Sequence, residues 1–178
     1  MLTVDQISQR LGNVSLAQAA EELGKFDSYS RSVALVFVMA RASGADRLRA
    51  FLEWGNVCDA PWANRSLIAG MLRQIPMAAD LLPPAARTFY EALPDPVPIW
   101  RGCDRGRERG LHWTTRRAVA EGFATGKRCF NAHPTLASAE IPKRHVFAVF
   151  VCRDEDEVVV DPRRLRKLKS EPLLAVPR

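Results

Sequence analysis

The stretch PDPVPIWRG, residues 94–102, marks the point at which the chain changes character. Its three prolines, Pro94, Pro96 and Pro98, exclude a continuing helix, because proline lacks an amide hydrogen and clashes with the preceding turn. Before this stretch, apolar residues recur at helical spacing between Gly and Pro breaks. After it come short β-branched and aromatic runs separated by turn residues. The sequence therefore predicts an α+β protein with a helical part first and a β-rich part second.

Two subdomains follow from this change, a helical one over residues 1–92 and a β-rich one over residues 93–178, packed as one compact unit. Ser15 is a predicted N-cap and Gly24 the predicted end of the first helix. The predicted helices before the change are 15–24, 28–44, 45–56, 63–76 and 84–94. The predicted strands after it are IWRG (99–102), GLHWT (110–114), TLASAEIP (135–142), HVFAVFVC (145–152) and EVVVD (157–161). Between them, residues 115–126 keep helical spacing, and the basic tail 163–178 is either a packed terminal segment or a solvated end.

Composition narrows the classes of function. The longest apolar run, residues 33–40, is far shorter than the roughly 20 residues of a membrane helix. Four isolated cysteines form no CxxC pair, which argues against a zinc site or a disulfide framework and is typical of reduced thiols in a cytoplasm. A formal net charge of +6 favours a partner that carries phosphate or other negative charge. These features predict a cytoplasmic protein with no metal and no membrane partner.

The stretch RDEDEVVVD, residues 153–161, sets four acidic residues directly against three valines. Taken alone, the acids indicate a solvated turn. If the strand already includes them, Glu155 and Glu157 share one face, because alternate side chains of a strand point the same way. Asp154 and Asp156 form a second alternating pair, and a register slip of one residue would exchange the two faces.

The ordered set IWRG, GLHWTTRRAVAEGFATG and DEDEVVVDP resembles the arginine, serine and glutamate motifs of the mono-ADP-ribosyltransferases, in particular the small proteins of this type in bacteria, phages and prophages. The resemblance spans about residues 97–168 and rests on the order and spacing of short motifs. It implies a split, mostly antiparallel pair of sheets around a cleft that holds NAD. No metal is implied.

The resemblance also implies residue roles. It places Arg101 on a phosphate or ribose of NAD, and a guanidinium suits that role because its donors match phosphate oxygens. The second motif, usually serine-threonine-serine, falls on His112, Trp113 and Thr114, so that a histidine replaces the usual first serine. Trp113 either stacks near the nicotinamide or lies in the core. The NAD-binding set implied is Arg101, Gly102, His112, Trp113, Thr114 and Thr115.

Glu157 resembles the carboxylate that stabilises the oxocarbenium-like state as the bond between nicotinamide and ribose breaks. Glu155 resembles the residue that faces the acceptor, and its presence in the family goes with arginine acceptors on proteins. Two alternatives stay open: NAD hydrolysis with water as the acceptor, and an inactive basic module that binds nucleic acid or a host protein.

The remaining residues of interest have simpler interpretations. Arg105, Arg107 and Arg109 form either a solvated loop or a basic loop that touches phosphates. His133 and His145 are expected to be structural. Cys103 and Cys129 are expected to be small, unreactive core residues.

Overall fold

A computed structural model describes residues 2–58, 61–75, 79–126 and 131–174. The chain divides into two compact units, Met1–Leu81 and Leu82–Arg178. The helix over residues 84–92 thus groups with the sheet, whereas the sequence placed the division at residue 92. Lys143 connects the end of this helix to the β-rich part, because its Nζ donates to the carbonyl oxygens of Glu91 at 2.8 Å and Leu93 at 2.9 Å.

The first unit is helical, as predicted. Its helices are α1 (Val4–Gly12), α2 (Leu16–Leu23), α3 (Ser28–Arg41), α4 (Gly44–Trp54) and α5 (Pro61–Leu72), with short 3-10 turns at Gly55–Val57 and Ala79–Leu81. Ser15 caps α2 and Gly24 ends it, which confirms both predictions. Helix α1 is not among the predicted helices, although Thr3 and Gln6 form the same kind of capping box as Ser15 and Gln18.

The core of this unit surrounds α3, which packs against α1, α2, α4 and α5. Leu11, Leu35 and Phe51 are almost completely buried there. Arg31 connects separate backbone segments next to this core. Its guanidinium donates to the carbonyl oxygens of Leu23, Phe26 and Val57. Within the described part of the chain, no helix has both the length and the apolar character needed to cross a membrane.

The second unit contains α6 (Pro84–Ala92), α7 (Arg117–Ala124) and a six-stranded sheet. The strands are β1 (Val97–Asp104), β2 (His112–Thr114), β3 (Pro134–Ile141), β4 (Val146–Phe150), β5 (Glu157–Val160) and β6 (Arg166–Pro172). Their order is β4-β5-β2-β1-β3-β6, and every neighbouring pair is antiparallel. The mixed α+β class and the antiparallel sheet agree with the prediction.

The described strands form one sheet, whereas the resemblance implied a split pair. The sheet is nevertheless narrow at one joint. β1 pairs with β3 over its whole length, from Val97 to Asp104, but with β2 only at Trp100 opposite Thr114. The sheet therefore consists of two well-paired halves, β4-β5-β2 and β1-β3-β6, which meet through a short β2.

The basic tail supplies the edge strand β6. It pairs with β3 from Arg166 to Pro172, with an irregularity opposite Ser138–Glu140. Backbone pairing holds it to the sheet while most of its side chains remain exposed. In its described part, the tail is therefore packed through the backbone of β6, and most of its side chains are solvated.

Candidate active site on the antiparallel sheet

The acidic cluster forms a tight turn, and the strand begins only at its end. Arg153, Asp154 and Asp156 have φ values of 63°, 55° and 44°, in the left-handed region. Aspartate tolerates this conformation better than most residues, which gives two of the four acids a turn-forming reason to be there. Strand β5 then starts at Glu157.

This turn corrects the prediction that Glu155 and Glu157 alternate along one strand. Glu155 precedes β5 and has helical backbone angles, φ −103° and ψ −18°. The left-handed residues on either side of it break the extended backbone that alternation requires. Asp154 and Asp156 therefore do not form an opposite strand face either, and only Glu157 stands on β5.

Glu157 lies in a row of side chains that crosses three strands. Thr114 on β2 is directly opposite Glu157 on β5, and Trp100 on β1 is directly opposite Thr114. Directly opposed residues of antiparallel strands point to the same face. His112, two residues before Thr114, shares this face by alternation. The sheet thus gathers a carboxylate, a hydroxyl, an imidazole and an indole on one surface.

Glu157 and His112 are in direct contact through Oε1 of the carboxylate and Nδ1 of the imidazole. A carboxylate oxygen accepts hydrogen bonds, so an imidazole tautomer with its hydrogen on Nδ1 suits this contact. The exposed fractions of the two side chains are 14% for Glu157 and 18% for His112. Glu157 is therefore held in one orientation, largely shielded from water, and still partly accessible.

The hydroxyl residues after His112 secure the acidic turn. Thr114 Oγ1 donates to the carbonyl oxygen of Glu155 at 2.5 Å and accepts from the amide of Arg116 at 3.0 Å. The Thr115 amide donates to the carbonyl oxygen of Asp156 at 3.1 Å. Both threonines thus fix the backbone that leads into Glu157.

Arg101 lies on the other face of β1 from Trp100, because the uninterrupted pairing with β3 keeps β1 regular. Its guanidinium donates to the carbonyl oxygen of Arg107 at 3.2 Å and to that of His112. It also covers Gly110, where an added Cβ would lie 2.3 Å from Arg101 Cζ. Arg101 is therefore connected to the site by its hydrogen bond to the backbone of His112.

Two neighbours of Arg101 are buried on the same face. Burial raises the pKa of the Cys103 thiol to about 11, although the nearby Arg101 charge opposes the shift. The thiol is therefore protonated and unreactive at neutral pH. Trp113 is 2% exposed and its Nε1 donates to the carbonyl oxygen of Gly110 at 2.9 Å. Of the two alternatives for Trp113, the core position is the one observed.

Gly102 lets α7 lie directly on β1. An added Cβ would be 2.0 Å from the carbonyl oxygen of Ala120 and 2.3 Å from the amide nitrogen of Ala124. No side chain fits that space. The predicted helix over 115–126 is thus pressed against the strand next to Trp100, and Gly102 is the residue that permits it.

The loop after β1 has a structural role in part. Arg109 donates to the carbonyl oxygen of Pro162 at 3.1 Å, and the Arg107 carbonyl oxygen accepts a hydrogen bond from Arg101. The Arg105 side chain is exposed. His133 is also exposed and lies 3.7 Å from a carboxylate oxygen of Asp104. Cys129 lies outside the described residues.

The structure thus brings Glu157, His112 and Thr114 together and sets Trp113 and Arg101 on the other face. Sequence reasoning missed Trp100, although its place beside Ile99 in an alternating strand was a usable signal. It also missed Gly110, whose absent side chain accommodates Arg101. Comparisons of this chain with protein-family models, curated proteins and solved structures gave no match.

Proposed function

We propose that this protein is an NAD-dependent ADP-ribosyltransferase that modifies a protein side chain, with arginine as the first candidate. The observation that carries the proposal is the Glu157 carboxylate, held by His112 and directly opposite Thr114 on adjacent strands. Three motif segments distant in sequence supply neighbouring strands of one surface, β1, β2 and β5. The order of the motifs along the chain already suggested this convergence.

In the proposed reaction, the bond between the nicotinamide nitrogen and ribose C1′ breaks, and its electron pair leaves with nicotinamide. A nucleophile of the acceptor then bonds to C1′ and loses a proton. Positive charge develops on the ribose between these events. A fixed carboxylate beside that charge lowers the barrier, because it needs no reorganisation during the reaction. Glu157 fits this role, since His112 orients it before any substrate binds.

The residues of this surface suit the nicotinamide ribose of NAD. Glu157 provides an acceptor for a ribose hydroxyl, and the half-buried Trp100 provides an aromatic face for a planar ring. Gly102, Thr114 and Thr115 shape the surface through the backbone. The role of Arg101 changes: its guanidinium is committed to two carbonyl groups, so we propose that it positions the His112 backbone and that other groups meet the phosphates.

The narrow joint between β1 and β2 also supports the proposal. A sheet whose halves meet at one residue pair can diverge on either side of the joint, and the resemblance implied a split of this kind. Trp100 and Thr114 form the joint itself. NAD would therefore lie next to the point where the two halves separate.

Hydrolysis of NAD is the second candidate function. In the related motif, an earlier glutamate on the same strand serves the acceptor, but Glu155 lies in the turn before β5. With one carboxylate on the strand, water is the acceptor that requires the least assistance. An inactive module that binds a nucleic acid or protein is the remaining outcome if NAD does not bind.

Incubation of the purified protein with NAD labelled on its adenylate half, in the presence of a cell lysate, tests these functions together. We expect label on protein and release of free nicotinamide. Nicotinamide release without labelling would favour hydrolysis, and label on nucleic acid would change the acceptor class. If calorimetry also detects no binding of NAD at millimolar concentration, the enzyme proposal is wrong.

His112 is a positioning residue in this proposal. Its substitution should distinguish loss of the Glu157 orientation from a general loss of structure. His112→Ala removes a charge-assisted hydrogen bond to Glu157, worth about 1.5–3 kcal/mol, so kcat should fall about ten- to a hundredfold with little change in KM. His112→Asn keeps a donor near the position of Nδ1 and should restore most of kcat. The exposed His133→Asn is the matched control. Equal losses in the Ala and Asn variants would contradict the positioning role.

A further inference from the structure

A cavity of about 220 Å³ in the second unit is surrounded by cationic side chains. Two segments form it, the turn before β4 and the connection from β5 to β6. Its lining residues are Pro142, Arg144, His145, Arg163, Arg164, Leu165 and Arg166. Four of these seven carry a guanidinium group.

The backbone of the two segments is firmly connected beneath the arginines. The Asp161 amide donates to the carbonyl oxygen of His145 at 3.0 Å. The buried Asp161 then accepts from two following amides, that of Arg163 on its carboxylate at 3.1 Å and that of Arg164 on its carbonyl at 2.9 Å. The arginines therefore project from a hydrogen-bonded turn.

The guanidinium groups of Arg144, Arg163, Arg164 and Arg166 make no hydrogen bond or ion pair with the described part of the chain. All four side chains are exposed. Burial and the positive charges of Arg144, Arg164 and Arg166 lower the pKa of His145, and Asp161 opposes this only in part. The cavity thus has an unbalanced positive field that an anion would relieve.

Positive charge continues from the cavity along the exposed edge strand. Arg166 opens β6 and Lys169 lies three residues further along, whereas Lys167 between them is paired with Glu140. From Arg166 to Lys169 the strand spans at most about 10 Å, at roughly 3.3 Å per residue. A single small anion would use only the cavity, whereas a linear polyanion would also use this edge.

The cavity is separate from the candidate active site. Glu157 lies opposite Phe150 at one end of the β4–β5 pair, and Val160 lies opposite Val146 at the other. Three residues of strand separate these ends by about 10 Å. The cavity borders the Val146 end, so its occupation does not require the carboxylate.

We propose that this cavity and the adjoining edge of β6 bind the phosphate backbone of a nucleic-acid strand. Guanidinium groups match phosphate oxygens in geometry, and each neutralised phosphate releases counterions, which makes binding favourable at low salt. The inference goes beyond the proposed transferase function and does not depend on it, because it involves neither Glu157 nor NAD.

Fluorescence anisotropy of a labelled single-stranded oligonucleotide, measured without NAD over a series of salt concentrations, tests the inference. On single strands, log K should fall against log salt by about 0.7 for each neutralised phosphate. The double variant Arg163→Gln with Arg164→Gln should reduce the slope by about 1.4 and weaken binding roughly tenfold at low salt. Arg144→Gln, on the other segment, should reduce the slope by about half as much. Arg49→Gln removes one charge from an exposed arginine of α4 that is paired with Asp46, and it is the control for Arg144→Gln.

A second measurement reports on the cavity itself. The NMR titration of His145 should move to higher pH when the oligonucleotide binds, since phosphate offsets the arginine charges that lower its pKa. Absence of binding by the wild-type protein, or equal binding by the cavity variants and Arg49→Gln, would overturn the proposal. If inorganic pyrophosphate binds as tightly as the oligonucleotide, the site is one for a small phosphorylated ligand and the nucleic-acid assignment is wrong.

Discussion

Substitution of Glu157 by glutamine should lower nicotinamide release and transfer of ADP-ribose together, by two orders of magnitude or more. The amide keeps the size of the side chain and its contact with His112, but it removes the negative charge that would face the developing positive charge on the ribose. That charge corresponds to about 3 kcal/mol of transition-state stabilisation. Single-turnover measurement of free nicotinamide and of labelled acceptor, in parallel, checks the result.

Two neighbouring acids provide controls for this prediction. Asp154→Asn changes a side chain that is 86% exposed and paired with Arg116, so both reactions should be nearly unaffected. Glu155→Gln should leave nicotinamide release largely intact, because Glu155 lies outside β5. A loss in transfer alone would show that Glu155 still serves the acceptor. Similar small effects at all three positions would remove Glu157 from the chemistry.

Gly102→Ala should destabilise the second unit by about 3 kcal/mol, the upper end for overpacking a filled interior. The added methyl group would lie 2.0 Å from a backbone oxygen of α7 and 2.3 Å from a backbone nitrogen. Backbone atoms cannot move aside as a flexible side chain can, so the whole helix must shift from β1. Urea unfolding, followed by tryptophan fluorescence, measures the loss.

Gly70→Ala is the matched control, because an added Cβ at this position of α5 meets nothing within 4 Å. Alanine is favoured over glycine in a helix interior by about 1 kcal/mol, so this variant should be as stable as the wild type or more so. A wild-type free energy of unfolding for Gly102→Ala would show that α7 does not press against β1.

Much of the fold follows from local signals. Proline at residues 94 and 96 separates helices from strands, and Ser15 and Gly24 mark the ends of α2, because caps and breakers act within a few residues. The strand β6 was less accessible to sequence reasoning. Most of its residues are polar and exposed, and its place depends on backbone pairing with β3, a partner about 30 residues earlier in the chain.

In the candidate site, too, some features follow from the sequence and others depend on backbone geometry or strand pairing. The contact of His112 with Glu157 joins two motifs whose order already indicated convergence. The position of Glu155 was predicted wrongly, because its neighbours Asp154 and Asp156 adopt left-handed backbone angles that no alternation pattern reveals. The face of Arg101 depends on the β1–β2 register, which is set by the pair Trp100 and Thr114 and not by local sequence.

The exposed edge of the sheet has a consequence for the behaviour of the protein at high concentration. A free strand edge presents unpaired amides and carbonyls on which another chain can build. β6 is such an edge, but it carries Arg166, Lys167 and Lys169, and the left-handed Lys167 interrupts its regular backbone. Like charges and a bent backbone both oppose strand addition. The composition of this strand therefore opposes edge-to-edge aggregation of the protein.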